Sequence, residues 1–230
     1  MHGTIPAHHA IGHARAGWPR AVGATSRLDE ALIRGLDLSV SLVALIVVLP
    51  LMLAIAAAIW LTDPGPVFFA HRRIGRGGVT FPCLKFRSMA IDAQERLTRL
   101  LAQDPAARAE WERDFKLRND PRITAIGVFL RKSSLDELPQ LINVIRGEMS
   151  LVGPRPIVNA EVARYHRYIA HYCAVRPGIT GLWQISGRND TTYRRRVALD
   201  VAFARSRSPW LHLRVLSATI PCVLLARGSY

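Results

Sequence analysis

Two adjacent carboxylates, Asp136 and Glu137, lie in the run Ser133-Ser134-Leu135-Asp136-Glu137-Leu138-Pro139, just after Arg131 and Lys132 and just before an apolar stretch. A carboxylate can attack phosphorus and form an acyl phosphate. A second carboxylate beside it can hold a hard divalent cation, which takes oxygen ligands and bridges phosphates. The same residues allow a plainer reading. Ser134 and Glu137 fit a capping box, and acids are ordinary near a helix start. Pro139 would be an awkward fifth residue of a helix capped at Ser134, which makes Asp136 the alternative cap.

Several cations suited to phosphate accompany the pair. Lys85 and Arg87 sit in Cys83-Leu84-Lys85-Phe86-Arg87-Ser88-Met89, Arg155 lies between Pro154 and Pro156, and Arg188 lies in Ser186-Gly187-Arg188-Asn189-Asp190. An Arg held in a stiff loop loses little entropy on binding a ligand. Each alone is more often a surface Arg. The run Arg194-Arg195-Arg196 reads by default as a solvated or lipid-facing helix surface.

The elements that must position these groups begin with an uncharged stretch from Leu38 to Leu61, long enough at about 1.5 Å per residue to cross a hydrocarbon core of about 30 Å. Pro50 near its middle removes the N–H that would reach the Ile46 carbonyl. Arg15, Arg20, Arg27 and Arg34 precede the segment, and Arg72, Arg73, Arg76, Lys85 and Arg87 follow it. Positive flanks on both sides favour a helix that enters the membrane, breaks at Pro50 and returns to the same face. A proline-kinked spanning helix is the alternative. Trp60 reads as an interfacial anchor.

Asp63-Pro64-Gly65-Pro66 ends the segment with turn residues. Val67–Arg73 and Val79–Phe86 read as a β-hairpin around Gly75, Gly77 and Gly78. Helices are expected over 91–103 and 105–117, the second with Asp104 as cap and Pro105 at its first position. Trp111 and Phe115 would share one face. A short buried helix covers 138–145, residues 157–172 are helical, 177–189 are irregular, and 215–225 form a core or interfacial helix. Residues 1–27 read as a disordered tail and 63–230 as a single catalytic domain.

The chain has 230 residues, half of them apolar, and a formal net charge of +14 carried mostly by Arg. Such a charge prefers anionic partners, although a GC-rich genome that drifts toward Arg and Ala would produce the same excess. Cys83, Cys173 and Cys222 are far apart, show no metal-ligand spacing and suit a reducing compartment.

The stretches DPGPVFFAHRRIGRGG, LKFRSM, LRKSSLDELPQLINVIRGEMSLVGPRP and RPGITGLWQISGRND resemble the monotopic phosphoglycosyl transferases, bacterial sugar transferases that start glycan assembly on polyprenyl phosphate. The likeness runs from about Leu36 to Tyr230 and is nearest to the galactosyl-phosphate transferases of succinoglycan-type exopolysaccharides. It implies a membrane-associated, mostly helical α+β fold with a re-entrant helix over 28–62 and a small catalytic domain at the cytoplasmic face of the inner membrane. It implies that a UDP-sugar and polyprenyl phosphate are the substrates, with Asp136 as nucleophile. Glu137 would position Mg²⁺ together with Asp136, and Lys85, Arg87, Arg131, Arg155 and Arg188 would hold phosphates or nucleotide. Inner-membrane lipid is the expected environment, nucleic acid is not an expected partner, and self-association is left open. Leu49 stands where the family often has Ser before the helix-breaking proline, KFRSM replaces KFRTM, and Ser208–Arg214 lacks the usual acidic character.

Two competitors remain at this level. A non-enzymatic, membrane-attached basic protein would explain charge and apolar segment but not paired acids in a basic setting. A polytopic transferase would need many apolar spans, and one is present.

Overall fold

The computed structural model describes residues 26–114, 117–186 and 191–224. Most of the expected N-terminal tail, Phe115 and residues 225–230 lie outside the described residues.

Helix α1 (Arg27–Thr62) opens the fold, with Ser26 Oγ accepting from the Asp29 amide at 3.0 Å as its cap. The hairpin β1 (Phe68–Ile74) and β2 (Thr80–Phe86) follows, in a register that pairs Phe69 with Lys85 and His71 with Cys83. Next come α2 (Ala93–Gln103), α3 (Pro105–Asp114) and α4 (Ala125–Ser133). Asp104 caps α3 as its sequence suggests, accepting from the Ala106 and Ala107 amides. A 3₁₀ turn over Leu135–Glu137 leads into α5 (Gln140–Arg146). The remainder is β3 (Ser150–Val152), α6 (Val162–Tyr165), α7 (Ile169–Ala174), β4 (Gly178–Thr180), α8 (Leu182–Ile185), α9 (Tyr193–Ser206) and α10 (Pro209–Leu224).

The mostly helical α+β expectation holds, with corrections. Strands β3 and β4 form a parallel pair: β4 lies in the stretch 177–189 that was expected to be irregular, and β3 directly precedes the stiff loop around Arg155. Residues 157–172 are helical for most of their length, as expected, in short pieces that His166, with φ of 45°, separates. Ser134 does not open a capping box. It adopts a left-handed conformation (φ 58°) as the C-cap of α4 and makes no side-chain cap bond to the next turn.

Helix α1 also departs from expectation, because it continues through Pro50 without interruption. Proline removes one hydrogen bond, but Pro50 lies on the exposed side, and packing on the opposite side continues past it in both directions. That buried stripe is Ile33, Asp37, Ser41, Met52, Ile55 and Ile59, with Ala44, Leu45 and Val48 half-buried against the cores between them. The opposite side exposes Leu42, Val43, Ile46, Val47, Leu53 and Leu61. By length and composition this is a helix that could cross a membrane.

Polar ties fix the N-terminal half of α1 to the domain. Arg34 donates to the Val144 and Ile145 carbonyls at 2.7 and 3.0 Å, closing the C-terminal end of α5. Buried Asp37 accepts from Ser150 Oγ and the Leu151 amide. The C-terminal half joins an apolar cluster with Phe86 of β2 and Leu130 of α4. Thus α1 contacts each of the elements flanking the two carboxylates.

Candidate active site

Lys85, Asp136 and Glu137 meet where β2 faces the turn between α4 and α5. The left-handed Ser134 reverses the chain after α4, so the short turn presents both acids toward the hairpin. A positive φ is uncommon outside glycine and marks a conformation that the surroundings must hold. Lys85 Nζ lies 2.6 Å from Glu137 Oε1 and 3.3 Å from Asp136 Oδ2. The Asp136 side chain is 11% exposed and that of Glu137 31%.

Their relative placement depends on Asn143, which is fully buried in α5. Its Oδ1 accepts from the Leu84 amide at 2.9 Å, and its Nδ2 donates to the Pro82 carbonyl at 2.8 Å and to Glu148 Oε2 at 2.6 Å. The side chain therefore pairs with the edge of β2 on either side of Cys83 and locks α5 to the strand that carries Lys85. On the other side, α4 approaches the end of β2 so closely that a Cβ on Gly127 would lie 2.0 Å from the Ser88 carbonyl oxygen. That contact brings Arg131 Nε to 2.9 Å from Ser88 Oγ.

The two acids are electrostatically distinct. Burial pushes the Asp136 carboxyl up; Lys85 and Arg131 pull it down, Glu137 adds to the rise, and the net direction is upward. Burial would raise Glu137 too, but attraction to Lys85, Arg155 and Arg73 and the hydrogen bond from Lys85 outweigh it, so its net direction is downward. Four cations thus act on two carboxylates. The surplus positive charge suits an anionic ligand such as a diphosphate.

These groups line an open cleft of about 1240 Å³ that also includes Phe69, His71, Arg73, Trp183 and Gln184. Of the residues expected from the sequence, Asp136, Glu137 and Lys85 are in direct contact, while Arg131 and Arg155 flank them in the same cleft. Arg87 lines the same cleft, with its guanidinium turned toward Asp63. It is buried, donates through Nη2 to the Asp63 carbonyl and lies 3.6 Å from the Asp63 carboxylate. Its guanidinium closes the turn after α1 instead of joining the acids. Arg188 lies outside the described residues.

Arg73, Ser88 and Asn143 were not singled out from the sequence. Arg73 donates to the Pro156 carbonyl at 3.2 Å, beside Arg155. Strand alternation offered a signal for it: Phe69, His71 and Arg73 on β1 share a face with Cys83 and Lys85 on β2. Asn143 offered no such signal, because its role depends on a strand 59 residues away.

The chemistry available is nucleophilic attack by a desolvated carboxylate on phosphorus, in a cleft whose cations neutralise phosphate charge. The donor set also fits a hard cation. Lys85 engages one oxygen of each carboxylate, leaving the second oxygen of each for a metal such as Mg²⁺.

The family model for bacterial sugar transferases matches residues 28–226, and the chain belongs to that family. It is 50% identical over 204 residues to the undecaprenyl-phosphate galactose phosphotransferase of Salmonella typhimurium, covering 89% of this chain but 43% of that protein. It is 48% identical over 212 residues to the exopolysaccharide production protein ExoY of Rhizobium meliloti, covering 92% of this chain and 94% of that one. A UDP-glucose:undecaprenyl-phosphate glucose-1-phosphate transferase from Xanthomonas campestris is 41% identical over 84% of this chain and 39% of its own length. The chain therefore spans less than half of the first and third of these relatives and nearly all of the second.

Proposed function

We propose that this protein transfers a hexose-1-phosphate from a UDP-sugar to undecaprenyl phosphate, as the first membrane step of exopolysaccharide assembly. The observation that carries the reading is the buried Asp136 carboxylate, held beside Lys85 and Glu137 in a cleft of surplus positive charge. The ionised Asp136 attacks the phosphorus that bears the sugar. The phosphoanhydride bond breaks, UMP leaves with its electron pair, and a sugar-phosphate ester remains on Asp136. An oxygen of the polyprenyl phosphate then attacks that phosphorus, and the Asp136 carboxylate leaves. One anhydride is broken and another is made, so no further energy source is needed.

Lys85 orients the carboxylates and, with Arg73, Arg131 and Arg155, offsets phosphate charge. Bound Mg²⁺, held by Glu137 and Asp136, would supply further neutralisation of phosphate oxygens. Galactose is the proposed sugar, supported by the names of the Salmonella relative and of a 54% identical UDP-galactose-lipid carrier transferase from Erwinia amylovora. Glucose is the second choice, for the Xanthomonas relative.

The same reading puts α1 in the cytoplasmic face of the inner membrane without crossing it. Both halves of the helix pack on one globular domain, and its other side is apolar. The dyad then works at head-group depth, where the lipid phosphate and the soluble nucleotide sugar can both arrive.

The deciding assay measures UMP release in detergent with Mg²⁺, polyprenyl phosphate and a panel of UDP-sugars, for wild type and Asp136→Asn. Turnover with one sugar, reduced at least about a thousandfold in the variant, is expected for loss of a covalent nucleophile. Absence of release by folded wild-type protein with every sugar would overturn the proposal and favour a non-enzymatic basic membrane protein.

A further inference from the structure

Phe69 is the least explained side chain of the cleft. Its neighbour Phe68 is accounted for, stacking on Phe86 at 5.4 Å against the cluster that holds α1. Phe69 belongs to none of the three apolar clusters among the described residues and is 54% exposed within a charged cleft. Its ring lies 6.1 Å from the His71 ring. Both side chains stand on the hairpin face that carries Lys85, and Phe69 is the cross-strand partner of Lys85 itself.

That position restricts what the ring pair can meet. Given the transferase reading, on which this inference rests, the phosphorus under attack lies against Asp136 on the side that faces the hairpin carrying Lys85. The sugar hangs from that phosphorus by a single oxygen. The nucleobase is a second phosphate and a ribose further away. The group within reach of a ring directly beside Lys85 is therefore the sugar. A hexose has a face of C–H groups that packs on an aromatic ring and a rim of hydroxyls, each of which can donate and accept a hydrogen bond. Burial, with Arg73 and Lys85 nearby, lowers the proton affinity of His71. A neutral imidazole offers one donor and one acceptor.

We propose that Phe69 and His71 form the hexose platform of the donor site, Phe69 packing on the sugar ring and His71 reading a hydroxyl, so that the pair sets sugar preference. Hydrogen bonding to a substrate hydroxyl discriminates well, because the wrong isomer leaves a buried group unpaired.

The test compares wild type, Phe69→Leu, His71→Ala and the double variant, all at exposed positions that leave the apolar cores intact. Steady-state kinetics with UDP-galactose and UDP-glucose, which differ at one hydroxyl, are measured alongside inhibition by UMP, which lacks the sugar. Each single change should raise the donor KM about tenfold. His71→Ala should also bring the galactose-to-glucose ratio of kcat/KM close to one. The UMP inhibition constant and the KM for polyprenyl phosphate should stay at wild-type values. Weaker UMP inhibition by the same factor would make the pair a nucleobase platform and overturn the inference, as would a rise confined to the polyprenyl phosphate KM. Wild-type kinetics in the double variant would also overturn it while leaving the transferase reading intact. Failure of the wild type to turn over any UDP-hexose would instead remove the transferase reading, and this inference with it.

Discussion

Asp136 and Glu137 are neighbours on the chain, yet their surroundings push their proton affinities in opposite directions. Asp136 is the more buried, and Glu137 is closer to Lys85. Only an ionised carboxylate attacks phosphorus, so the raised affinity of Asp136 fixes the sign of the pH dependence. Activity should fall as pH drops through a value above the ordinary 3.8 of an aspartate. In Lys85→Met the largest influence that lowers Asp136 is gone, so its affinity climbs further and the acid limb moves to higher pH. A pH profile of kcat/KM for the two proteins checks this; an unmoved limb would mean that Asp136 is not the titrating nucleophile. The acids and Lys85 were legible in the sequence because residue type and local spacing announced them. For Arg87 residue type alone does not choose the partner: a guanidinium that suits a phosphate also suits the Asp63 carbonyl, and the fold sets it on that carbonyl while keeping it in the lining of the cleft.

At the scale of elements, the site is held by α5 lying between β2 and α1. Asn143 ties α5 to β2, and Arg34 ties its far end to α1. Asn143→Leu leaves the Leu84 amide and the Pro82 carbonyl without their partner. At about 1–3 kcal/mol for each buried group left unpaired, a loss of about 3 kcal/mol in unfolding free energy is expected, readable by denaturant titration in detergent. The lower kcat that should accompany it reflects a dyad no longer in register with Lys85. A second element-level prediction concerns the corner between α9 and α10. His212 is fully buried, donates from Nδ1 to the Ser208 carbonyl, and is pushed down to about 4 by burial. Its ordinary value is 6.5. As pH falls from 6.5 toward 4, the unfolded chain takes up a proton that the folded one refuses, so stability is lost across that window, by at most about 3 kcal/mol. Buried Asp200, raised to about 7, acts in the opposite sense over the same window, so the reading is differential: between pH 7 and 5 the thermal midpoint of the wild type should drop relative to that of His212→Gln. The hairpin and the Asp104 cap were readable from local turn and capping chemistry. The pair β3–β4 was not, because three-residue strands carry no periodicity and their partners are brought together only by the tertiary fold. Pro50 was read by its local rule, which the buried stripe of α1 overrides.

For the molecule as a whole, the question is how a 36-residue apolar helix, about 54 Å long if straight, relates to a bilayer. A span needs roughly twenty residues surrounded by lipid. In α1 one side of such a run is taken by the globular domain, since contacts recur from Ile33 through Ala44, Leu45 and Val48 to Ile59. A strongly basic domain, in a chain of net charge +14, would have to enter the hydrocarbon with the helix if α1 crossed straight through. The proposed arrangement would lay the exposed apolar side of α1 into one leaflet and keep the charged domain at the head groups, where anionic lipid would attract it. Residues on the two sides of α1 must then share a face of the membrane. Cysteines introduced as Arg27→Cys and Arg72→Cys, one at a time in a background lacking Cys83, Cys173 and Cys222, should both resist an impermeant thiol reagent in spheroplasts. Both should react in inverted vesicles. Labelling on opposite faces would require α1 to span, and would place either its N-terminal start or the hairpin that carries Lys85 on the far side of the membrane from the soluble nucleotide sugar.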